Sequence, residues 1–484
     1  MTTSRLLRCL AAGLLLAAAA GALCDDGPNQ KLVQQRTAKL SKSAAAILWD
    51  AADRARAAGL FRYAREEAAR VLEMDPDHRV ARAFLGYVKR PEGWVVDSEA
   101  RAKLPSENQP PPNGAMKLLD AEVAWRRVYA LRADAAVAAL YAALGDEWAT
   151  KGLRAEADEA FGRALALDAD NAAAHAGLGH VKLSETIWLT KDAKRALDAA
   201  SVAAPVAEAS RWEEIVGSPM SKAESGHFRA ESPFGPASVE KSLAAAERTY
   251  AAYLADLGLA PGTQALPEVP KAVFCLVQSD EQWNRWIDRL ANLNKEFSRK
   301  LALHWSPERF AVAVRNLPDA TDATRCDRVR HQTAHLLDRA LWSMPLGFWL
   351  DEALSYRYAV ELGGSTSHYC IALRKGEYGG SAADGAVWLD ASQWKALLKD
   401  MVGRNDDLPL RQIVMKNAFD LPLHASVKAW SVTDFLLRRD RAAFLGMLRE
   451  IKDCKDLLGL LETRFGRNVE ALDDEWRRWV LERY

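Results

Sequence analysis

The chain repeats itself at an offset of 93 residues: Leu85-Gly86-Tyr87-Val88-Lys89 aligns with Leu178-Gly179-His180-Val181-Lys182, and Leu104 with Leu197. Trp94 and Trp188 agree within one residue. Upstream of each match, small and apolar residues recur at helical spacing. They are Leu48, Ala52, Ala55, Ala64, Ala68 and Val71 in the first copy, and Tyr141, Gly145, Trp148, Ala157, Phe161 and Ala164 in the second. Small residues at such positions let two antiparallel helices approach closely. Each copy therefore reads as a helical hairpin, the start of a third helix, and a short extended excursion that carries the tryptophan.

Those positions resemble the tetratricopeptide pattern, with Pro76 closing the first pair and Ala169 standing in place of the proline in the second. The resemblance implies a helical array whose groove holds a peptide or a protein partner. Residues 23–105 form the first unit of this array and residues 106–199 the second. Pro105 to Gly114 reads as an extended linker between them, and residues 200–226, with Pro205, Gly217 and Pro219, as a connector to the C-terminal half.

The remainder, residues 227–484, is organised around His331 and His335. On a helix these two project from one face, so their imidazole nitrogens can converge on a single ion. After a break at Met344-Pro345-Leu346-Gly347, the run Phe348-Trp349-Leu350 leads into Glu352, which can supply a carboxylate from a second helix. Two His and one Glu leave the fourth position of a zinc ion open, as catalytic sites do.

The arrangement is similar to the gluzincin metallopeptidases, in particular the peptidase MA-like group, in which His-Glu-x-x-His is paired with a later Trp-Leu-x-Glu motif. Trp349-Leu350-Asp351-Glu352-Ala353-Leu354 matches the second motif, 17 residues separate His335 from Glu352, and Ala429-Trp430-Ser431-Val432 and Glu475-Trp476 extend the likeness. The resemblance implies one zinc ion on His331, His335 and Glu352. Two positions depart from it. Gln332 stands where the family has its general-base glutamate, and a carboxamide does not take a proton from water at ordinary pH. Tyr356 stands where the family usually has an acidic residue that orients a ligand histidine.

Around this motif we expect strands at His227–Glu231, Ala272–Val277 and Phe310–Val314, and helices at Val239–Leu257 and Trp283–Leu303. The resemblance makes Phe310–Val314 the edge strand that holds substrate by β-addition. It also implies an oxyanion-stabilising Tyr or His after Glu352, for which His368, Tyr378 and His424 are eligible. Asp338 and Asp351 are the acidic residues near the motif. Trp430, Trp476 and Trp479 fall at helical spacing and read as packing residues.

Composition excludes little but excludes it clearly. With 65 basic and 65 acidic residues the chain has no net field to steer nucleic acid. Arg5 and Arg8 precede an apolar run from Leu10 to Ala20, and Ala20-Gly21-Ala22 offers a cleavage site, so residues 1–22 read as a secretory signal. Lipoprotein anchoring at Cys24 is the rival, disfavoured by Leu23, and no other membrane span is expected. Cys275, Cys326, Cys370 and Cys454 are too widely spaced for a local metal motif; they read as buried free thiols, with disulfides in an exported chain, in any of three pairings, as the alternative.

The expectation is thus an exported, mainly α protein: tetratricopeptide-like hairpins followed by an α+β gluzincin-like domain with a small sheet. Its function reads as peptide or protein binding by an impaired peptidase, a pseudoenzyme with zinc. The alternatives are an active zinc peptidase with unusual water activation, and a metal-free structural module.

Overall fold

The computed structural model describes residues 28–484 apart from 104, 106, 110–116, 269, 291–294, 296–302, 306–310, 316–320, 345–347, 365 and 367–389. The signal segment, Cys24, Cys370, His368 and Tyr378 therefore lie outside the described residues. The protein is mainly helical and divides into two compact units, Met1–Leu178 and Gly179–Tyr484.

The first unit opens with α1 (Pro28–Ala57), α2 (Phe61–Met74) and α3 (Arg79–Phe84), then the strands β1 (Tyr87–Arg90) and β2 (Gly93–Val96) and the short helix α4 (Ser98–Ala102). A continuous helix follows, made of α5 (Leu118–Trp125), a π turn at Arg126–Ala130, and α6 (Leu131–Thr150). The unit ends with α7 (Arg154–Leu167) and α8 (Ala172–Leu178). The small residues singled out by spacing are the buried ones: Ala55, Ala64, Ala68, Val71, Ala157, Phe161 and Ala164 are all fully buried.

The duplication is visible in the backbone. Helices α2 and α7 each run 14 residues, begin at positions 93 apart, and follow Gly59 and Gly152, whose φ angles are +77° and +76°. That conformation suits glycine and sets the tight reversal between paired helices. Downstream, His78 Nδ1 accepts from Ala81 N and Asn171 Oδ1 from Ala174 N, so both third helices start on a side-chain cap at the same place.

Each copy ends in a two-stranded hairpin: β1–β2 in the first, and β3 (Val181–Lys182) with β4 (Trp188–Leu189) in the second. Lys89 is opposite Trp94 and Lys182 opposite Trp188, and in both pairs the ammonium lies 5.4 Å from the indole centroid. The one-residue excess of the second copy falls in its turn. The linker is partly docked: Asn108 accepts from Arg62 N at the start of α2 and donates to Glu122. The helix from Leu118 to Thr150 contains an 18-residue window of mean hydropathy 1.3, enough by length and composition to cross a membrane, and 44% of that window is buried. Uninterrupted apolar length does not reveal it, because Arg126, Arg127, Arg132 and Asp134 interrupt the run.

The second unit begins with β3, β4 and α9 (Lys191–Ala200), earlier than the expected boundary at residue 199. Residues 200–226 are not a connector. They form β5 (Ala204–Pro205), α10 (Arg211–Val216) and β6 (Ser221–Glu224), the first part of a six-stranded sheet. The overlooked signal is Ser210-x-x-Glu213, whose side chains make a reciprocal capping box at the start of α10.

The sheet continues through β7 (Phe228–Ser232), α11 (Pro236–Asp256), β8 (Ala272–Val277), α12 (Asp280–Leu290), β9 (Leu303–Trp305) and β10 (Ala311–Arg315). Its order is β5-β6-β7-β8-β10-β9, with β7, β8 and β10 parallel. Strand β8 is buried along its whole length because both faces are covered. Phe274 and Leu276 join the large core that includes Leu243 and Tyr253 of α11, whereas Val273, Cys275 and Val277 pack with Trp212, Trp283 and Trp286.

Two expectations change here. Helix α12 is described as far as Leu290, and Leu303, placed at the end of the expected helix, belongs to a strand. Strand β10 is not an edge: it pairs with β8 on one side and with β9 on the other, so β9 is the edge. The edge role came from the resemblance; the apolar run itself is the signature of a strand buried on both faces.

The remaining helices are α13 (Asp322–Trp342), α14 (Trp349–Gly363), α15 (Trp394–Arg404), α16 (Leu410–Met415), α17 (Leu423–Arg439), α18 (Arg441–Glu450), α19 (Leu457–Phe465) and α20 (Val469–Arg483). Trp430 and Trp476 are buried and Trp479 partly so, as packing residues. Cys275, Cys326 and Cys454 are free, and only Cys275 is fully buried.

Candidate metal centre

Helix α13 starts on Thr321, whose hydroxyl accepts from Thr324 N, and its first turn is tied down by Asp322 to Lys241 and Arg325. It ends at Ser343, in the left-handed conformation at φ 54°. Helix α14 places Asp351 and Glu352 in its first turn, where the helix dipole favours negative charge. Packing of α13 on α14 brings the two halves of the motif together.

His331, His335 and Glu352 converge. The two imidazole Nε2 atoms lie 3.1 Å apart, His331 Nε2 is 3.4 Å from Glu352 Oε2, and His335 Nε2 is 3.9 Å from Glu352 Oε1. A tetrahedral zinc ion with bonds of about 2.0–2.1 Å needs donor atoms about 3.3 Å apart, so these separations suit one ion. All three residues are buried, and the set can hold a metal ion. The donor types fit zinc as well: two imidazoles and one carboxylate.

The support behind His335 does not come from position 356. His335 Nδ1 donates to Asp351 Oδ1 at 2.6 Å, which fixes the tautomer and leaves the Nε2 lone pair for a metal. Asp351 and Glu352, neighbours in sequence, thus face the two nitrogens of one ring. Tyr356, one turn beyond Glu352, instead sets its ring 5.1 Å from that of His331 and edge-on to Trp394 at 5.7 Å. It is a wall of the site. The acidic residue that a resemblance places four positions after the ligand is here one position before it.

Behind Asp351 lies Asp338, fully buried; the two carboxyl groups come within 4.8 Å of each other, and each has one buried oxygen with no hydrogen-bond partner among the described residues. Tyr253 donates its hydroxyl proton to Asp338 Oδ1 at 2.5 Å, and Trp342 Nε1 donates to the Tyr253 oxygen at 2.7 Å. Burial, and then the charge of Asp351, push the Asp338 carboxyl well above the usual range, which favours its protonated form. Burial likewise keeps Tyr253 a phenol.

The histidines are pushed apart. Burial lowers His331, only partly offset by Glu352, so it is neutral and ready to ligate near pH 7. Burial also acts to lower His335, but the neighbouring carboxylate of Asp351 outweighs it and the net shift is upward.

Gln332 is fully buried on α13 between the two histidines in sequence. Neither acidic neighbour replaces the missing base. Asp351 is engaged on Nδ1, the far side of the ring from the metal-facing Nε2, and Asp338 is a further step behind it. Asp327, one turn before His331, is a buried carboxyl that sequence reasoning did not single out, and it accepts from Thr366 Oγ1 at 3.2 Å. His424 lies half-buried in the first turn of α17, its pKa lowered by burial.

Comparison with protein-family models, with curated proteins and with solved structures finds no match. The gluzincin and tetratricopeptide likenesses rest on sequence motifs alone.

Proposed function

We propose that this is an exported pseudopeptidase that holds one zinc ion on His331, His335 and Glu352 and binds a peptide or protein segment without cleaving it. The observation that carries the reading is a built donor set, three donors at ligating separations with a histidine oriented by Asp351, together with a carboxamide, Gln332, next to His331 in the sequence where the resembled motif has its base. Zinc, when bound, would supply Lewis acidity toward a carbonyl or water. The residues do the rest. His331 offers a neutral nitrogen and His335 its Nε2, Asp351 holds the His335 ring in place, and Tyr356 and Trp394 form an aromatic wall beside His331. Gln332 can orient a water or an amide by hydrogen bonds but does not accept its proton. The tetratricopeptide-like hairpins are read as a second surface for a protein partner.

A zinc determination on the purified chain, paired with hydrolysis of a generic peptide substrate, tests this. One zinc per chain without hydrolysis is expected, with hydrolysis appearing in Gln332→Glu. Chelator-sensitive hydrolysis by the unaltered chain would replace the reading with that of an active peptidase. A metal-free module is the second reading, favoured by the 3.1 Å Nε2 to Nε2 separation, which also suits a hydrogen bond from His331 to His335. It predicts no zinc at any stoichiometry.

A further inference from the structure

We propose that Asp338 is a positioning residue for the metal centre: held by the Tyr253 hydroxyl and acting through Asp351, it fixes the ring of His335. This rests on the zinc reading above and adds to it a residue that touches neither the ion nor the ring. The chain of contacts runs Trp342 Nε1 to Tyr253 Oη at 2.7 Å, Tyr253 Oη to Asp338 Oδ1 at 2.5 Å, Asp338 to Asp351 with carboxyl oxygens within 4.8 Å, and Asp351 Oδ1 to His335 Nδ1 at 2.6 Å. It joins α11, α13 and α14, and every member is buried. A carboxyl held only by His335 can rotate about its own torsion, whereas one with the buried Asp338 carboxyl beside it is confined on both sides. Asp338 sits one turn beyond His335 on the same helix, so the ligand and its remote support are built on one rigid element.

The test uses the full chain, ZnCl2 with a competing chromophoric chelator, and ¹⁵N-histidine spectra of the metal-free protein. Asp338→Asn keeps an acceptor for Tyr253 and an amide N–H for Asp351, and is expected to bind zinc close to the unaltered chain. Asp338→Leu keeps neither and is expected to lose about 10–100-fold in zinc affinity. Its His335 should also lose the fixed Nδ1–H tautomer. Tyr253→Phe, which deletes one oxygen, provides a gentler variant should the leucine chain not fold, and is expected to lose affinity in the same direction. Equal zinc affinity and an unchanged His335 tautomer in Asp338→Leu, or in Tyr253→Phe if the leucine chain does not fold, would overturn the proposal. A chain that takes up no zinc, yet shows the tautomer pattern moving with Asp338, would refute the metal reading while leaving the positioning role intact.

Discussion

The two units are stabilised by opposite means. The core of the first is built by size: alanines and glycines set the distance between helices, and the Phe161 ring fills the space left at Gly145 and Gly177. The core of the second encloses charge. Lys428, fully buried, lies 2.6 Å from both Asp407 and Asp473 with its ammonium 4.2 Å from the Trp476 ring centroid, and Arg357 bridges Asp256 and Asp434. An apolar contact tolerates a near fit, because its loss grows gradually with the gap. A buried charge does not, because an unpartnered one bears its full desolvation cost. The first architecture can be duplicated and diverge. The second holds a few groups in one arrangement, which is what a metal centre needs.

Substitutions should separate the two. His335→Ala is expected to have the largest effect, taking bound zinc from one ion per chain to none by elemental analysis, with the helical content of the first unit unchanged by circular dichroism. Lys428→Ala would leave two buried carboxylates facing each other and should cost about 3–5 kcal/mol, read from denaturant unfolding of the second unit. Gly145→Ala places a Cβ 2.5 Å from the Phe161 ring, which Gly177 confines on its other side, and should cost about 1–3 kcal/mol in the first unit. Zinc affinity should be unchanged in that variant, and a loss would show that the two cores are not independent.

The smallest effect belongs to Asp322 at the start of the metal helix. Hydrogen bonds from Lys241 and Arg325 lower its carboxyl to about 2, so its contribution to folding is present above the ordinary carboxylate range and fades as pH falls through that value. Carbon-detected NMR titration of the side chain would check it, and a midpoint near 3.8 would show those contacts do not persist in solution.

This contrast also explains how much was legible in the sequence. Size patterns are local, so the hairpins, their buried small residues and the 93-residue offset could be read from spacing alone. The ligands were legible for the same reason, since His331 and His335 lie one turn apart. The polar support was not. Tyr253 reaches Asp338 across 85 residues and Lys428 reaches Asp473 across 45, and no periodicity links such partners. Asp351 was hidden differently: it sits beside a ligand, and an expected acidic position at 356 drew the role away from it. The misplaced edge strand shows the limit of a motif likeness, because which strand lies at an edge is a property of its neighbours.

Consecutive residues on a helix point about 100° apart, and here that angle sets Asp351 on the Nδ1 side of the His335 ring, at 2.6 Å, and Glu352 on its Nε2 side, at 3.9 Å. In the proposed zinc reading, retention of the ion would be a property of the pose of α14. A small rotation or withdrawal of that helix would remove the carboxylate and free the His335 ring in the same movement. Loading and release of the proposed ion would then be a single cooperative event, governed by whatever holds the first turn of α14 in place.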